Sequence, residues 1–235
     1  MLLRRITKHV KDQNWFAVFL DFFIVVAGIL IAFQINAWSD RQALHKAATS
    51  SLTMLLDDLN MDLQRLDVVA AAQTTRINAF RRATNALLEP QPDHEKIAVD
   101  INLGSDNNRT LLARDTVYDT MEKEGHMLAL PSELRRKIST TYGYDFPALS
   151  TAGLQMDDNQ DEVDSRCMDI YWDWDLGVPI SEAAEDLARL RNCLANLRNY
   201  SSWYLGEAEG QYRQNADALK TALEAELGIE HTETQ

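Results

Sequence analysis

One aspartate, Asp21, lies inside an apolar run and has the clearest capacity for chemistry in this sequence. Between Phe16 and Ile35 it is the only charged residue, and Gln34 is the only other polar one. A carboxylate in hydrocarbon costs about 2.5–3.5 kcal/mol on insertion scales, so it normally faces protein or a water-filled cavity. Asp21 could therefore pair with a basic group, carry a proton, or extend to the membrane interface.

The residues that share a helical face with Asp21 are small. At about 100° per residue, the following fall within about 30° of one line along a helix: Ala17, Asp21, Gly28 and Ala32. Gly28 and Ala32 have the small-xxx-small spacing that allows two helices to approach closely. The sequence therefore predicts that this face contacts another transmembrane helix.

The cysteines, Cys167 and Cys193, could form a disulfide. They flank a predicted turn at 171–181, and adjacent antiparallel helices could bring their Cα atoms to the ~5.5–6 Å that a disulfide needs. An oxidising compartment favours the bond. Two separate buried thiols are the alternative, because cysteine packs well as a small hydrophobic residue.

Other catalytic and metal-binding patterns are missing from the sequence. The histidines stand apart from one another and from the cysteines, so no zinc spacing exists. No phosphate-binding glycine loop, dinucleotide fingerprint or serine-hydrolase motif is present. We therefore expect no catalytic residue, no metal and no cofactor.

Two further segments have compositions that could bind a ligand, but we interpret both as structural. The acidic run 157–164 lacks the glycine and the terminal glutamate spacing of an EF-hand loop, so we interpret it as a solvated helix face. Tyr171, Trp172 and Trp174 could form an aromatic ligand platform or a hydrophobic plug at one end of a bundle. The plug is the favoured interpretation.

The apolar run is predicted to be an uncleaved transmembrane helix over residues 16–36. Twenty residues from Phe16 to Ile35 span about 30 Å as a helix, which is the thickness of a hydrocarbon core. Trp15 and Trp38 bracket the run, as interfacial aromatic residues do. The run is longer than the ~7–15 apolar residues of a signal peptide and ends in polar residues.

The distribution of charge predicts the orientation of this helix. The chain has a net charge of −13, and residues 1–36 contribute +2, so residues 37–235 carry −15. By the positive-inside rule, segment 1–15 lies in the cytoplasm and residues 37–235 lie in the periplasm of a bacterium. A strongly acidic domain argues against nucleic acid as a partner. The basic residues of the first segment could contact anionic lipid as an amphipathic helix or belong to a solvated tail: Arg4, Arg5, Lys8 and Lys11.

Residues 37–235 are predicted to form an all-α antiparallel bundle in the periplasm. An apolar helical period runs from Leu44 to Leu87, and neither Gly nor Pro interrupts the chain from Ala37 to Glu89. The transmembrane helix is therefore expected to continue as one long helix. Further helices are predicted at Thr110–Lys123, from Pro131 to about Asp169 with a break between Tyr142 and Pro147, and at Glu182–Leu227.

Finer features of this domain are also predicted. Ser181 is expected to cap the last helix, and Gly206 and Gly210 could bend it. Residues 97–101 alternate in polarity as a short strand would, and residues 104–108 have the composition of a loop.

The N-terminal sequence also supports a resemblance to known families. Segments Val10–Ile29 and Gln34–Trp38, and more loosely 118–125 and 134–142, resemble a family of uncharacterised bacterial single-pass membrane proteins. That family implies a topology and no activity. The helix with Asp21 in its cytoplasmic half is also similar to the B-type subunits of proton-driven stators. The chain beyond it does not match the domains that those subunits carry.

These observations predict an anchored interaction protein with no enzymatic role. We expect an accessory or structural subunit of a larger membrane assembly, in contact with lipid and, through the Asp21 face, with other transmembrane subunits. A homo-oligomer is left open. One alternative is a periplasmic sensor-like bundle that signals through a partner, since only about fifteen residues face the cytoplasm. The other is a stator-like subunit that uses Asp21 to carry protons.

Overall fold

The computed structural model describes residues 15–229, and helices dominate this part of the chain. In chain order they are α1 (Trp15–Ala86), α2 (His94–Asp106), α3 (Thr116–Lys123), α4 (Ser132–Thr140), α5 (Phe146–Val163), α6 (Asp169–Tyr171), α7 (Ala184–Glu209) and α8 (Gln211–Leu227). A 3₁₀ turn covers His126–Ala129, and π-helical turns cover Thr141–Asp145 and Asp164–Met168. The predicted all-α class is confirmed.

The chain divides into two compact units, residues 1–47 and 48–235. The described part of the first unit belongs to α1. Most of its apolar side chains between Phe16 and Trp38 are exposed, and Val26 and Ala27 are half-buried. An 18-residue window there has a mean hydropathy of 2.5 and none of it is buried. Among the described residues, α1 is thus the helix that is long and apolar enough to cross a membrane.

The second unit contains a large apolar cluster built on the middle of α1. Its α1 residues follow the predicted helical period and are buried: Ala48, Leu52, Leu55, Leu59, Leu63 and Leu66. Helices α3, α4 and α5 contribute apolar side chains to it, as do the end of α7 and α8. Helix α5 packs on α7, and α4 packs on α8.

A second apolar cluster lies around the last turns of α1. Phe80, Ala83 and Leu87 pack there with Ile97 and Ile101 of α2, and Val163 of α5, Trp172 and residues of α7 complete it. Along α1, the polar side chains Gln73 and Arg76 separate this cluster from the first. Along α7, Ser201 occupies the equivalent place between Leu197 and Tyr204. We call the buried polar groups around Arg76 the polar layer.

The predicted strand at 97–101 is wrong, because this segment lies within α2. Ile97 and Ile101 are four residues apart, a spacing that also suits one face of a helix, and both are buried. Asp93 caps the helix by accepting a hydrogen bond from the Lys96 amide at 3.2 Å. Gly104 belongs to the helix and not to a loop. An added Cβ there would lie 2.5 Å from the ring of Phe80, so the glycine permits the close contact.

Several predicted helix boundaries differ from those of the structure. Helix α3 begins at Thr116 and not at Thr110, because residues 107–115 form neither helix nor strand. The expected break near Pro147 is a π-helical turn, and Pro147 occupies the first turn of α5, where it needs no amide donor. After α5, helical turns continue to Tyr171.

The last helix begins later than predicted and divides in two. Helix α7 starts at Ala184, and Ser181 accepts a hydrogen bond from the Ala183 amide at 3.2 Å without capping the helix. The helix is interrupted at Gly210, between α7 and α8, where the sequence predicts a bend. A Cβ at Gly210 would lie 2.6 Å from the carbonyl oxygen of Gly206, so this geometry requires glycine.

Candidate functional site

The face of α1 that holds Asp21 is open in this structure. Asp21, Gly28 and Ala32 lie in a regular α-helix, and all three are exposed. A Cβ added to Gly28 would meet nothing within 4 Å. The contact made by this face stays a prediction. Part of the predicted membrane site lies outside the residues that the structure describes, namely Arg4, Arg5, Lys8 and Lys11. The side chains of Trp15 and Ala17 are likewise not described.

Cys167 and Cys193 are joined by a disulfide, with their Cα atoms 5.9 Å apart. Cys167 belongs to the π-helical turn that follows α5, and Cys193 belongs to α7. Cys193 is buried in the second apolar cluster, beside Leu190 and Leu194. The bond therefore connects the end of α5 covalently to α7.

The aromatic residues after α6 do not form a shared ligand platform. They belong to a hairpin of two short antiparallel strands, β1 (Trp172–Asp173) and β2 (Val178–Pro179). Trp172 is 2% exposed and packs in the second apolar cluster, as the plug interpretation requires. Trp174 is 41% exposed, and its indole donates a hydrogen bond to Asp169 at 2.9 Å.

The interpretation of 157–164 as a solvated face is wrong for two of its aspartates, and Val163 between them is buried. Asp157 accepts a hydrogen bond from Asn108 at 2.8 Å, and Asp164 accepts one from Gln160 at 3.2 Å. Burial raises the pKa of both carboxyls, while the cation of Arg76 opposes this shift. These two aspartates therefore belong to the polar layer. The remaining acidic residues of the run are exposed: Asp158, Asp161 and Glu162.

Arg76 lies at the centre of the polar layer and is 1% exposed. Its Nε donates to the Ser201 hydroxyl at 2.8 Å, and its Nη1 donates to the Gly104 carbonyl at 3.1 Å. The guanidinium also lies 5.0 Å from the centre of the Phe80 ring. Burial lowers the pKa of Arg76 to about 10, and Asp164 and Asp157 act against this shift, so it stays charged at neutral pH.

A serine, a histidine and a glutamate meet where α1 contacts the 3₁₀ turn. Ser51 Oγ lies 2.9 Å from Nδ1 of His126, and Nε2 of that ring lies 3.3 Å from Glu124. The order resembles a hydrolase triad. However, Ser51 is only 4% exposed, so a substrate carbonyl cannot reach its hydroxyl. Since Ser51 and His126 are 75 residues apart, sequence spacing could not reveal the contact.

Residues 107–115, which connect α2 to α3, are held in place by side chains of the surrounding helices. We call them the tethered segment. The backbone groups of this segment are bonded as follows: Arg109 O with Gln73 (2.6 Å), Leu111 N with Tyr204 (2.8 Å), Leu111 O with Ser150 (3.3 Å), Leu112 O with Arg65 (3.3 Å) and Arg114 N with Asp62 (3.2 Å). Buried backbone groups need such partners when no helix or sheet supplies them.

Asp62 is the most unusual of these tethers, because its carboxylate is fully buried. It accepts hydrogen bonds from the Arg114 amide and, at 3.2 Å, from Arg65. Desolvation nevertheless outweighs these contacts and raises the pKa of Asp62 to about 6. The folded protein therefore binds a proton at Asp62 more tightly than the unfolded chain does.

This shift predicts that stability falls as the pH rises. The folded pKa of Asp62, about 6, exceeds the value of 3.8 expected in the unfolded chain. Protonated Asp62 thus favours folding below about pH 4, and we expect this contribution, about 2–3 kcal/mol, to be lost as the pH rises through 6 and to be gone by about pH 7. Asp62→Asn should remove this part of the pH dependence. Thermal midpoints of both proteins between pH 4 and pH 7 measure the difference.

Asp57→Asn provides the matched control, because it removes an exposed carboxylate from the same helix. This variant should keep the stability loss of the wild-type protein. If Asp62→Asn and the wild type lose stability in parallel, the buried carboxylate of Asp62 is not the group responsible.

The described residues define an all-α protein with one candidate membrane helix near its N-terminus. The chain belongs to a family of unknown function, DUF6090, whose model matches residues 21–188. The prediction that the chain belongs to a family of unknown function is confirmed. The matched region begins at Asp21, contains the tethered segment and ends in α7. No curated protein and no solved structure matches the chain.

Proposed function

We propose that this protein is a membrane-anchored interaction protein, an accessory or structural subunit of a larger assembly. The observation that carries the proposal is the exposed face of α1 with Asp21, Gly28 and Ala32. A lone carboxylate among exposed apolar side chains is costly unless a partner or water meets it. The open surface at Gly28 allows a second helix to approach closely enough to do so.

The proposal includes no enzymatic role. The serine–histidine–glutamate contact is the arrangement closest to a catalytic site in the described residues, and its serine is buried. We propose membrane lipid and other transmembrane subunits as partners. A second copy of the chain also fits such a face, and the mass of the purified complex would distinguish a homo-oligomer. Nucleic acid does not suit the charge of −15 on residues 37–235.

We further propose that the protein resides in a bacterial inner membrane, with segment 1–15 in the cytoplasm and residues 37–235 in the periplasm. The basic residues precede the apolar run, which is the arrangement that the positive-inside rule describes. A disulfide between Cys167 and Cys193 also suits an oxidising compartment.

A fusion after Gln235 to a reporter that is active only in the periplasm tests this orientation. We expect the fusion to be active, because the acidic domain should follow the helix across the membrane. The same reporter placed before Met1 should be inactive. A stable but inactive C-terminal fusion would contradict the orientation and would remove the compartment argument for the disulfide.

Two substitutions on the proposed contact face test the interaction itself. Asp21→Asn removes the charge and keeps the size of the side chain, whereas Gly28→Leu adds bulk on the same face. Both should reduce co-purification of partners in mild detergent, by about 1–3 kcal/mol of binding free energy if the site is buried in the complex. Ala27→Leu is the matched control, because it places a leucine side chain about 100° around the helix from Gly28, away from the proposed contact face.

The alternatives predict different outcomes for the same variants. In a stator-like subunit, Asp21→Asn should leave the complex intact and abolish its proton-dependent activity. If Asp21 only extends to the interface, neither substitution should change partner yield. The second outcome would contradict the proposed contact face, because the small residues around Asp21 would then have no partner to accommodate.

A further inference from the structure

A groove of about 600 Å³ lies between α1 and the tethered segment in the second unit. Both walls belong to the folded helical domain. Its lining residues come from α1 and from the tethered segment: Arg65, Val68, Val69, Arg109, Thr110 and Leu112. Small-molecule sites commonly occupy about 300–1,000 Å³.

Arg109 is the unusual side chain of this groove. Within residues 15–229, no hydrogen bond, ion pair or ring contact involves its guanidinium, although the domain is strongly acidic. Its backbone carbonyl is held by Gln73 at 2.6 Å, which fixes the main chain at the groove edge. An arginine that is anchored at its backbone and unpaired at its tip is available to an external anion.

Arg65 supplies a second positive charge on the opposite wall. Its Nη1 contacts Asp62 at 3.2 Å and the Leu112 carbonyl at 3.3 Å, and its side chain remains 42% exposed. These contacts restrict the direction of the guanidinium before any ligand arrives. The groove therefore has two cationic groups, of which one is paired and one is unpaired.

The remaining lining is mostly apolar. Leu112 is 72% exposed, and Val68 is 57% exposed. Thr110 also lines the groove. Apolar walls beside an unpaired cation suit a ligand that has an anionic end and an apolar body, since each part then replaces contact with water.

We propose that this groove binds a small organic carboxylate that carries a compact apolar group. The carboxylate pairs with Arg109, with Arg65 as the second cation, and the apolar group covers Val68 and Leu112. This site goes beyond the proposed anchoring role, because it is a ligand site in the second unit and does not involve Asp21.

Binding of benzoate tests the proposal. Titration of the full-length protein in lipid nanodiscs, followed by ligand-observed NMR, should show saturable binding with a Kd of about 1 mM or tighter. Benzamide, which keeps the ring and loses the charge, should bind at least about tenfold more weakly. Acetate, which keeps the charge and loses the ring, should also bind at least about tenfold more weakly.

The matching variants are Arg109→Gln in the groove and Arg136→Gln on the exposed surface of α4. Arg109→Gln should weaken benzoate binding about tenfold or more and leave the thermal midpoint unchanged, because the side chain has no partner to lose. Arg136→Gln changes the net charge equally and should leave binding unchanged. Equal benzoate affinity in Arg109→Gln and wild type, or no saturable binding to the wild type, would overturn the proposal. If the wild type shows no saturable binding, the groove is not a small-molecule site and a protein partner becomes the alternative.

Discussion

Arg76→Ala should lower the free energy of unfolding by about 3–5 kcal/mol, the largest effect expected in this protein. The substitution removes a buried cation that bonds Ser201 and the Gly104 carbonyl. It also leaves Asp157 and Asp164 without the charge that offsets their burial. The space vacated beside Phe80 adds a cavity cost to the electrostatic one.

Thermal unfolding followed by circular dichroism measures this effect, and the apparent Tm should fall by about 6–20 °C. Arg76→Met is the control that separates the two contributions, because methionine refills the cavity without the charge. We expect Arg76→Met to recover more than half of the loss, since apolar replacement of buried ions is often tolerated. An Arg76→Ala protein as stable as the wild type would show that the polar layer is hydrated in solution.

Loss of the disulfide is expected to have the next largest effect. The bond between Cys167 and Cys193 closes a loop of 26 residues, and the chain-entropy model gives about 3 kcal/mol for that length. Cys193→Ser should therefore lower the free energy of unfolding of the oxidised protein by that amount, which corresponds to a fall in Tm of about 6–12 °C. A non-reducing gel of protein taken directly from cells should also show slower migration of the variant.

Reduction provides the control for this comparison. A reducing agent should lower the midpoint of the wild type to that of Cys193→Ser and should not change the variant further. The double substitution of Cys167 and Cys193 by serine should match the single one. Free thiols at both positions in freshly isolated protein would contradict the bond and with it the expected stabilisation.

The parts of the fold that sequence predicted well depend on local patterns. Helix α1 follows from apolar residues at helical spacing, and the helix ends before Pro90, as the sequence required. The proximity of Cys167 and Cys193 followed from the turn between them. Helix α2 was missed because residues 97–101 satisfy a strand period as well as a helical one. Packing against Phe80 decides between the two in the folded protein.

The sites that sequence did not reveal depend on distant partners. Arg76 and Ser201 are 125 residues apart, and Asp62 meets the Arg114 amide across 52 residues. Neither pair has a local signature, since each residue alone resembles a surface position of an amphipathic helix. The Asp21 face was identified from sequence because a charge in an apolar run is itself a local anomaly. Its partner stays a prediction.

The tethered segment has a consequence for the order in which the domain assembles. Its side-chain partners lie 36 to 93 residues away in the chain, and they come from three different helices. Some tethers need α1 alone, but Leu111 is not fixed at both its amide and its carbonyl until α5 and α7 have also met α1, so complete docking should be among the last events of folding. Once docked, the amides of Leu111 and Arg114 should resist exchange with solvent deuterium as helical amides do, although no helix contains them.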